Sequence, residues 1–196
     1  MRGRDHKMRI GGGTHRGRSL KVPPGREVRP MRSRVRESLF AMIGDRIVGS
    51  RVLDVFAGSG ALAMEAISRG ARRATLVERD SKVIALIQKN LRTLGLEAQC
   101  EVLAADAYRL FDKHPPEEPF DIVLLDPPFP DFARDPDRTP WQLARRLGAE
   151  FLAENGVIAI EHPTRGPVST PPEGLEGLKA HRYGETSLTL WQRISG

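Results

Sequence analysis

The 196-residue sequence predicts an α/β fold built on a parallel sheet with helices on both faces. Three observations carry that prediction. Short β-branched runs alternate with amphipathic stretches from residue 51 to residue 161. A glycine turn, Ala57-Gly58-Ser59-Gly60, follows the first of these runs. An acidic residue then closes each of four runs: Asp54, Glu78, Asp106 and Asp126.

In chain order, Met8-Arg9-Ile10 reads as a short strand and Gly11-Gly12-Gly13 as a turn. Thr14 to Val22 reads as a second strand, giving a small Arg-studded hairpin ended by Pro23-Pro24-Gly25. Arg29-Pro30-Met31 leads into a helix over 31–47, with Val35, Leu39, Met42 and Ile43 as its buried stripe. Arg32, Arg34 and Arg36 fall on its other faces, and Ser33 is the candidate cap. Arg51 to Phe56 is the first core strand, followed by the glycine turn and a helix over 60–69. Arg73 to Val77 is the second, ending in Glu78. A helix over 81–94 stops at Gly95, where glycine can take a left-handed cap. Ala98 to Leu103 is the third strand, followed by Asp106. Phe120 to Leu125 is the fourth and ends at Asp126. A helix over 140–153 and a strand from Val157 to Glu161 follow. Gly166 to Gly177 is rich in Pro and Gly and reads as loop. Thr186 to Arg193 alternates as one strand of a terminal hairpin.

Composition bounds the function classes. The length fits one domain with an appendage, expected as a basic arm over 1–30 on a body over 31–196. No apolar run approaches the roughly 20 residues of a membrane span. No apolar segment follows the basic start, so no secretory signal is expected, and the expected location is cytoplasmic. The single Cys100 excludes an internal disulfide and a thiolate metal cluster. The first 51 residues carry 14 Lys+Arg against 4 Asp+Glu, whereas the remainder carries 17 against 21. A basic segment on a mildly acidic body points to nucleic acid. A solvated face in an arginine-rich protein is the plainer alternative.

The chemistry concentrates at strand ends. After Asp126 come Pro127, Pro128 and Phe129. Proline fixes φ and lacks an N–H, so the ladder cannot continue. The result is a stiff mouth with one acceptor side chain, backbone carbonyls and a flat ring, suited to a planar nitrogen heterocycle. A plain proline turn is the alternative. Gly58-Ser59-Gly60-Ala61-Leu62-Ala63 also satisfies the G-x-G-x-x-A pattern of dinucleotide sites, and Glu78 follows at the distance of a ribose-binding acid. A nicotinamide or flavin oxidoreductase is therefore a rival. Against it stand Asp54 before the glycines, Asp106 placed to reach an adenine amino group, and Asp126-Pro127-Pro128-Phe129, which hydride transfer does not require. Singly, each acid reads better as a helix cap or dipole partner. Together they mark the rim where open α/β sheets bind ligands.

Asp54-Val55-Phe56-Ala57-Gly58-Ser59-Gly60, with Glu78, Asp106 and Asp126-Pro127-Pro128-Phe129, resembles the class I S-adenosylmethionine-dependent methyltransferases that modify exocyclic amines. The upstream block is more specific. Arg9-Ile10 through Arg16-Gly17-Arg18, Arg29-Pro30 and Ser33-Arg34-Val35-Arg36-Glu37-Ser38-Leu39-Phe40 is similar to the bacterial 16S rRNA guanine-N(2) methyltransferase family, RsmD type. The likeness covers nearly the whole chain, including Leu62 to Gly70 and Tyr183-Gly184-Glu185-Thr186. Residues 1–7 extend the usual start, Ser33 stands where the family often has Thr, and Glu161-His162-Pro163 is less familiar.

The resemblance implies a Rossmann-like parallel sheet with an antiparallel C-terminal strand and a basic N-terminal hairpin. It implies S-adenosylmethionine as cofactor, contacted by Asp54, Phe56, Ala57, Gly58, Ser59, Gly60, Glu78, Arg79, Asp106, Ala107 and Asp126. Within that set Glu78 takes the ribose hydroxyls, and Asp106 with Ala107 borders the adenine. Asp126 and the carbonyl of Pro127 hold the target amine, and Phe129 stacks on the base. Arg16, Arg18, Arg29, Arg32 and Arg34 are the candidate phosphate contacts. The implied partner is 16S rRNA in an assembling small subunit, met by a monomer with no metal. An adenine or cytosine amine methyltransferase and a catalytically silent RNA-binding assembly factor remain the alternatives.

Overall fold

A computed structural model describes residues 8–23, 30–112, 115–135 and 139–194, with the backbone alone for 30–32. Seven strands form one sheet: β3 (Arg51–Asp54), β4 (Arg73–Glu78), β5 (Cys100–Ala104), β6 (Phe120–Leu125), β7 (Leu152–Pro163), β8 (Leu175–Tyr183) and β9 (Thr186–Arg193). Their order is β5-β4-β3-β6-β7-β9-β8. The first five run parallel, β9 is antiparallel to β7, and β8 is antiparallel to β9. Strand order reverses between β3 and β6, the place where a doubly wound sheet opens a crevice at its carboxyl edge.

Alternation along the strands sorts the core into two layers. Val52, Leu76, Ile122, Leu124, Val157 and Ala159 pack beneath helices α1 (Pro30–Ile43), α2 (Ala61–Ser68) and α3 (Ser81–Leu94). Leu53, Val77, Val123, Leu125, Ile158 and Ile160 face the opposite layer, where α5 (Pro140–Glu150) supplies Trp141, Leu143, Ala144 and Leu147. The helix ends follow local chemistry. Asp80 accepts from the N–H groups of Lys82 and Val83 (2.8 and 3.3 Å), and Gly95 closes α3 at φ 70°. Thr139 and Gln142 form a reciprocal capping box at α5, with Pro140 in the first turn.

Four expectations need correction. The second strand of the N-terminal hairpin is only β2 (Ser19–Leu20), paired with β1 (Met8–Arg9). Residues 14–17 turn instead, because Gly13 (φ 75°) and Gly17 (φ 81°) take left-handed conformations. Helix α1 begins at Pro30, so Ser33 lies inside it and is no cap. Arg36 is not on an outer face; it is 8% exposed. The Pro/Gly segment after residue 166 passes into β8 at Leu175, and a short helix α4 (Asp131–Arg134) follows the Asp126 mouth.

The hairpin is docked rather than loose. Ile10 and Leu20 are buried in the α1–α2–α3 layer, and burying such a side chain contributes about 1.5–3 kcal/mol. Thr14 N–H donates to the carbonyl of Ser68 (2.8 Å) and His15 N–H to the Ser68 hydroxyl (2.8 Å), which itself donates to Gly12 O (2.6 Å). A Cβ on Gly13 would lie 1.7 Å from Ser68 O, so only glycine fits there. The fully buried carboxylate of Glu65 joins the pieces. It accepts from Gly11 N–H (3.1 Å) and from two nitrogens of Arg69 (3.0 and 2.8 Å). It also lies 2.8 Å from Arg36 Nε, whose N–H is not aligned on it, so that contact is Coulombic rather than a hydrogen bond. Arg36 Nη2 in turn donates to Arg9 O (2.7 Å). Removing the carboxylate strands a buried guanidinium. Glu65→Ala is expected to lower stability by ~3 kcal/mol in urea unfolding, and to speed amide exchange at Thr14 and His15 before global unfolding.

Candidate active site

The crevice above the carboxyl ends of β3, β4, β6 and β7 holds a cavity of about 680 Å³. Phe56, Glu78, Arg79, Asp106, Ala107, Asp126, Pro127, Phe129, Glu161, Glu185 and Thr186 are among the residues that line it. The strand-end rule thus gathers Glu78, Asp106 and Asp126 at one opening. A smaller adjoining space of about 80 Å³ runs under α1, between Ala57-Gly58-Ser59 and the hairpin residues Met8 and Val22. Phe56, Val35, Asp126 and Glu161 border both.

Backbone N–H groups fix the first wall. Glu78 accepts from Gly58 N–H (3.2 Å) with one oxygen and from Arg79 and Asp80 N–H (2.8 and 3.0 Å) with the other. Its carboxylate is therefore held in place at the rim, with one acceptor site left on the oxygen that bonds Gly58. Gly60, at φ 78°, opens α2 in a left-handed conformation that strains any residue with a side chain. A Cβ there would meet Met64 Cε at 2.8 Å and Leu76 Cδ2 at 3.0 Å. Asp106 caps the next turn by accepting from Tyr108 N–H (3.0 Å). Asn90 ties three elements together. Its amide donates to Ser59 O (3.1 Å) and Lys21 O (2.9 Å), and its carbonyl accepts from Lys21 N–H (3.0 Å).

The second wall is the Asp126 mouth. Pro127 is buried, whereas Asp126 and Phe129 are half-exposed to the cavity. Phe129 meets Phe132 edge-on (6.5 Å), and Phe132 meets Trp141 (5.8 Å). Asp131 accepts from the Tyr108 hydroxyl (3.0 Å), and that ring rests on Phe56 (5.7 Å). His162 is a packing residue behind this wall, 3% exposed and sharing a hydrogen bond with the Thr189 hydroxyl (3.0 Å). Burial lowers its pKa. Burial pushes the Cys100 thiol up to about 12, with Asp54 adding to it, in keeping with an unreactive core residue.

Asp54 and Gly60 line neither space. Asp54 is fully buried and accepts from Ala63 N–H (3.1 Å) in the first turn of α2, so it caps that helix from the strand end. Of the arginines, Arg16, Arg18 and Arg34 are exposed, and Arg18 donates to Thr93 O at the end of α3 (3.2 Å). Arg29 lies outside the described residues, and only the backbone of Arg32 is described. Sequence reasoning did not include Val35, Tyr108, Glu161, Glu185 or Thr186 among the site residues. Glu161 had a readable signal, since it closes Val157 to Ile160 as Asp126 closes its own run.

Burial raises the Asp54 carboxyl to about pKa 7 against an ordinary 3.8, with Asp126 and Glu78 adding to the shift and the Ala63 bond opposing it. A carboxyl whose folded pKa lies above its unfolded value weakens the fold as it ionises. The cost is absent below about pH 4, grows with pH, and is complete above about 7. Asp54→Asn keeps an acceptor for Ala63 and cannot ionise. Between about pH 4 and 8 the wild type is expected to lose stability relative to Asp54→Asn, on the order of 4 kcal/mol by urea unfolding.

The family model "Conserved hypothetical protein 95" matches residues 8–192. The Ribosomal RNA small subunit methyltransferase D of Escherichia coli K12 is 36% identical over 187 residues, covering 95% of this chain and 90% of that protein. Its namesake in Haemophilus influenzae is 36% identical over 193 residues, covering 95% and 94%. The solved structure of yhhF from Escherichia coli superposes with a TM-score of 0.83 at 35% identity, covering 97% of this chain and 99% of that one. The sheet is accordingly that of a class I, Rossmann-like methyltransferase, and the chain belongs to the Conserved hypothetical protein 95 family, which is the RsmD family.

Proposed function

We propose that this protein transfers a methyl group from S-adenosylmethionine to the exocyclic amine of a guanine in small-subunit rRNA. One observation carries the reading: Glu78 and Asp106, from the β4–β5 side of the strand-order reversal, and Asp126, Pro127 and Phe129, from the β6 side, line one cavity. The names of the curated relatives support the polymer.

The donor set suits the cofactor. Glu78 is held by three N–H groups, and the oxygen that accepts from Gly58 keeps one lone pair for a ribose hydroxyl. Asp106 borders the adenine, and Phe56 lies between the two walls. When bound, S-adenosylmethionine supplies a methyl group on an electrophilic sulfonium.

The remaining work belongs to this chain's own residues. A guanine amine is a weak nucleophile because its lone pair is delocalised into the ring. Two acceptors, the Asp126 carboxylate and the Pro127 carbonyl, take its two hydrogens, favour a pyramidal nitrogen and aim the lone pair across the cavity. Positioning of this kind can supply much of the rate. Phe129 stacks on the flipped base, worth about 1–3 kcal/mol. In this reading the hairpin within residues 1–30 is the RNA-contacting unit on the 31–196 methyltransferase domain. Arg16, Arg18 and Arg34 meet phosphates, with Arg29 and Arg32 as further candidates.

The deciding experiment supplies purified protein, labelled S-adenosylmethionine and either naked 16S rRNA or small subunits lacking the modification, then digests the RNA to nucleosides. The expected product is N2-methylguanosine; methyladenosine or methylcytidine overturns the guanine assignment. Asp126→Ala is expected to reduce transfer at least ~1000-fold while leaving S-adenosylmethionine affinity within about threefold by calorimetry. Replacing Arg16 and Arg18 with Glu is expected to weaken RNA binding and lower the slope of log K against log salt by about 1–2. An unchanged affinity at low salt removes the hairpin from the interface.

A further inference from the structure

We propose that Glu161 selects the base, accepting the ring N1–H of the guanine whose amine Asp126 and Pro127 hold. This inference rests on the function proposed above and assigns a specificity residue to the same site.

The sheet places the residue. In the parallel β6–β7 pair Leu125 stands beside Ile160, so the next step along each strand brings Asp126 level with Glu161. Residues at one level of neighbouring strands point to one face. Leu124 and Ala159 both pack under α1, and two residues on from Ala159 Glu161 returns to that face, as Asp126 does two on from Leu124. Neighbouring strands lie about 4.8 Å apart. Both carboxylates border the large cavity and the space beneath Val35. Two carboxylates on neighbouring strands, bordering one cavity, can converge on two adjacent donors at one edge of a planar base.

The chemistry then discriminates. A flipped base is read by hydrogen bonds to its Watson–Crick edge. In adenine and cytosine the ring nitrogen beside the amine is unprotonated and is an acceptor. In guanine the corresponding N1 carries a hydrogen and is a donor. An ionised carboxylate only accepts. Glu161 beside the amine site therefore pairs with guanine and faces a repelling lone pair in adenine or cytosine. Specificity of this kind comes as much from the penalty on the wrong base as from the bond to the right one. Asp126-Pro127-Pro128-Phe129 suits any planar amine, and Glu161 supplies what that tetrapeptide leaves undecided.

The test compares RNA carrying guanine at the methylated position with the same RNA carrying 2-aminopurine there. 2-Aminopurine keeps the amine but has an unprotonated N1. Wild type is expected to prefer guanine by about tenfold or more in kcat/KM. Glu161→Gln, whose amide can donate to that N1, is expected to shift the ratio about tenfold or more toward 2-aminopurine, with S-adenosylmethionine affinity unchanged by calorimetry. Glu161→Asp is expected to keep the guanine preference at a lower rate. A ratio that stays constant while both rates fall assigns Glu161 a structural role and overturns the proposal. A loss of S-adenosylmethionine affinity at constant ratio assigns it to the cofactor and also overturns it. If wild type methylates neither RNA, the underlying function fails first, and the variants are not needed to see it.

Discussion

The reversal of strand order between β3 and β6 is the constraint on which the site depends. From β3 the chain turns to α2 on one face of the sheet; from β6 it passes through α4 to α5 on the other. The two connections diverge, and no helix can cover the carboxyl ends between them. Side chains that close those strands therefore meet over a gap whose dimensions are set by strand spacing. Gly58 and Gly60 keep the first connection tight enough to leave the gap open. Pro127 and Pro128 keep the second from extending the ladder across it. Phe132 and Trp141 then brace Phe129 from behind, so the mouth is held by packing as well as by φ restriction.

Docking of the basic hairpin is the second dependency, and it shares atoms with the first. Asn90 bonds Lys21 of the hairpin and Ser59 of the glycine turn with one amide. Glu65 bonds Gly11 and Arg69 while opposing the charge of Arg36 in α1. Movement of the hairpin would therefore be felt at the glycine turn and at α1, which roofs the smaller space. In the proposed reading, the surface that grips RNA and the wall that holds the cofactor form one mechanical unit.

Local chemistry made much of this legible from sequence. Helix α3 was readable to its ends because Asp80 and Gly95 act within a few residues. Three of the acid-terminated strands, β3, β4 and β6, were readable because a largely buried run stops at a charge. Non-local effects hid the rest. Thr14 to Gly17 looked extended, but the alternation there is overruled by bonds to Ser68, more than fifty residues away. Arg36 looked solvated because its partner Glu65 lies on another helix. Most of β8 is exposed, so it carries no alternation to read. Asp54 had the right spacing for a ligand contact, and the turn it precedes folds back so closely that one of its oxygens accepts from Ala63 N–H in α2 while the residue is fully buried.

Asp54 also bears on which ligand the crevice favours. Its ionisation is opposed first by burial and further by Asp126 and Glu78, which place two acidic side chains at the crevice. Such a field favours a cation and resists an anion. A sulfonium adds no negative charge to that field. The pyrophosphate of a dinucleotide would add two negative charges to the same space. The glycine pattern that first admitted a dinucleotide rival thus sits in a field that disfavours one. Asp126 and Glu78, which add to the cost that burial sets on ionising Asp54, also make the crevice a better seat for a methyl sulfonium than for the pyrophosphate of a nicotinamide cofactor.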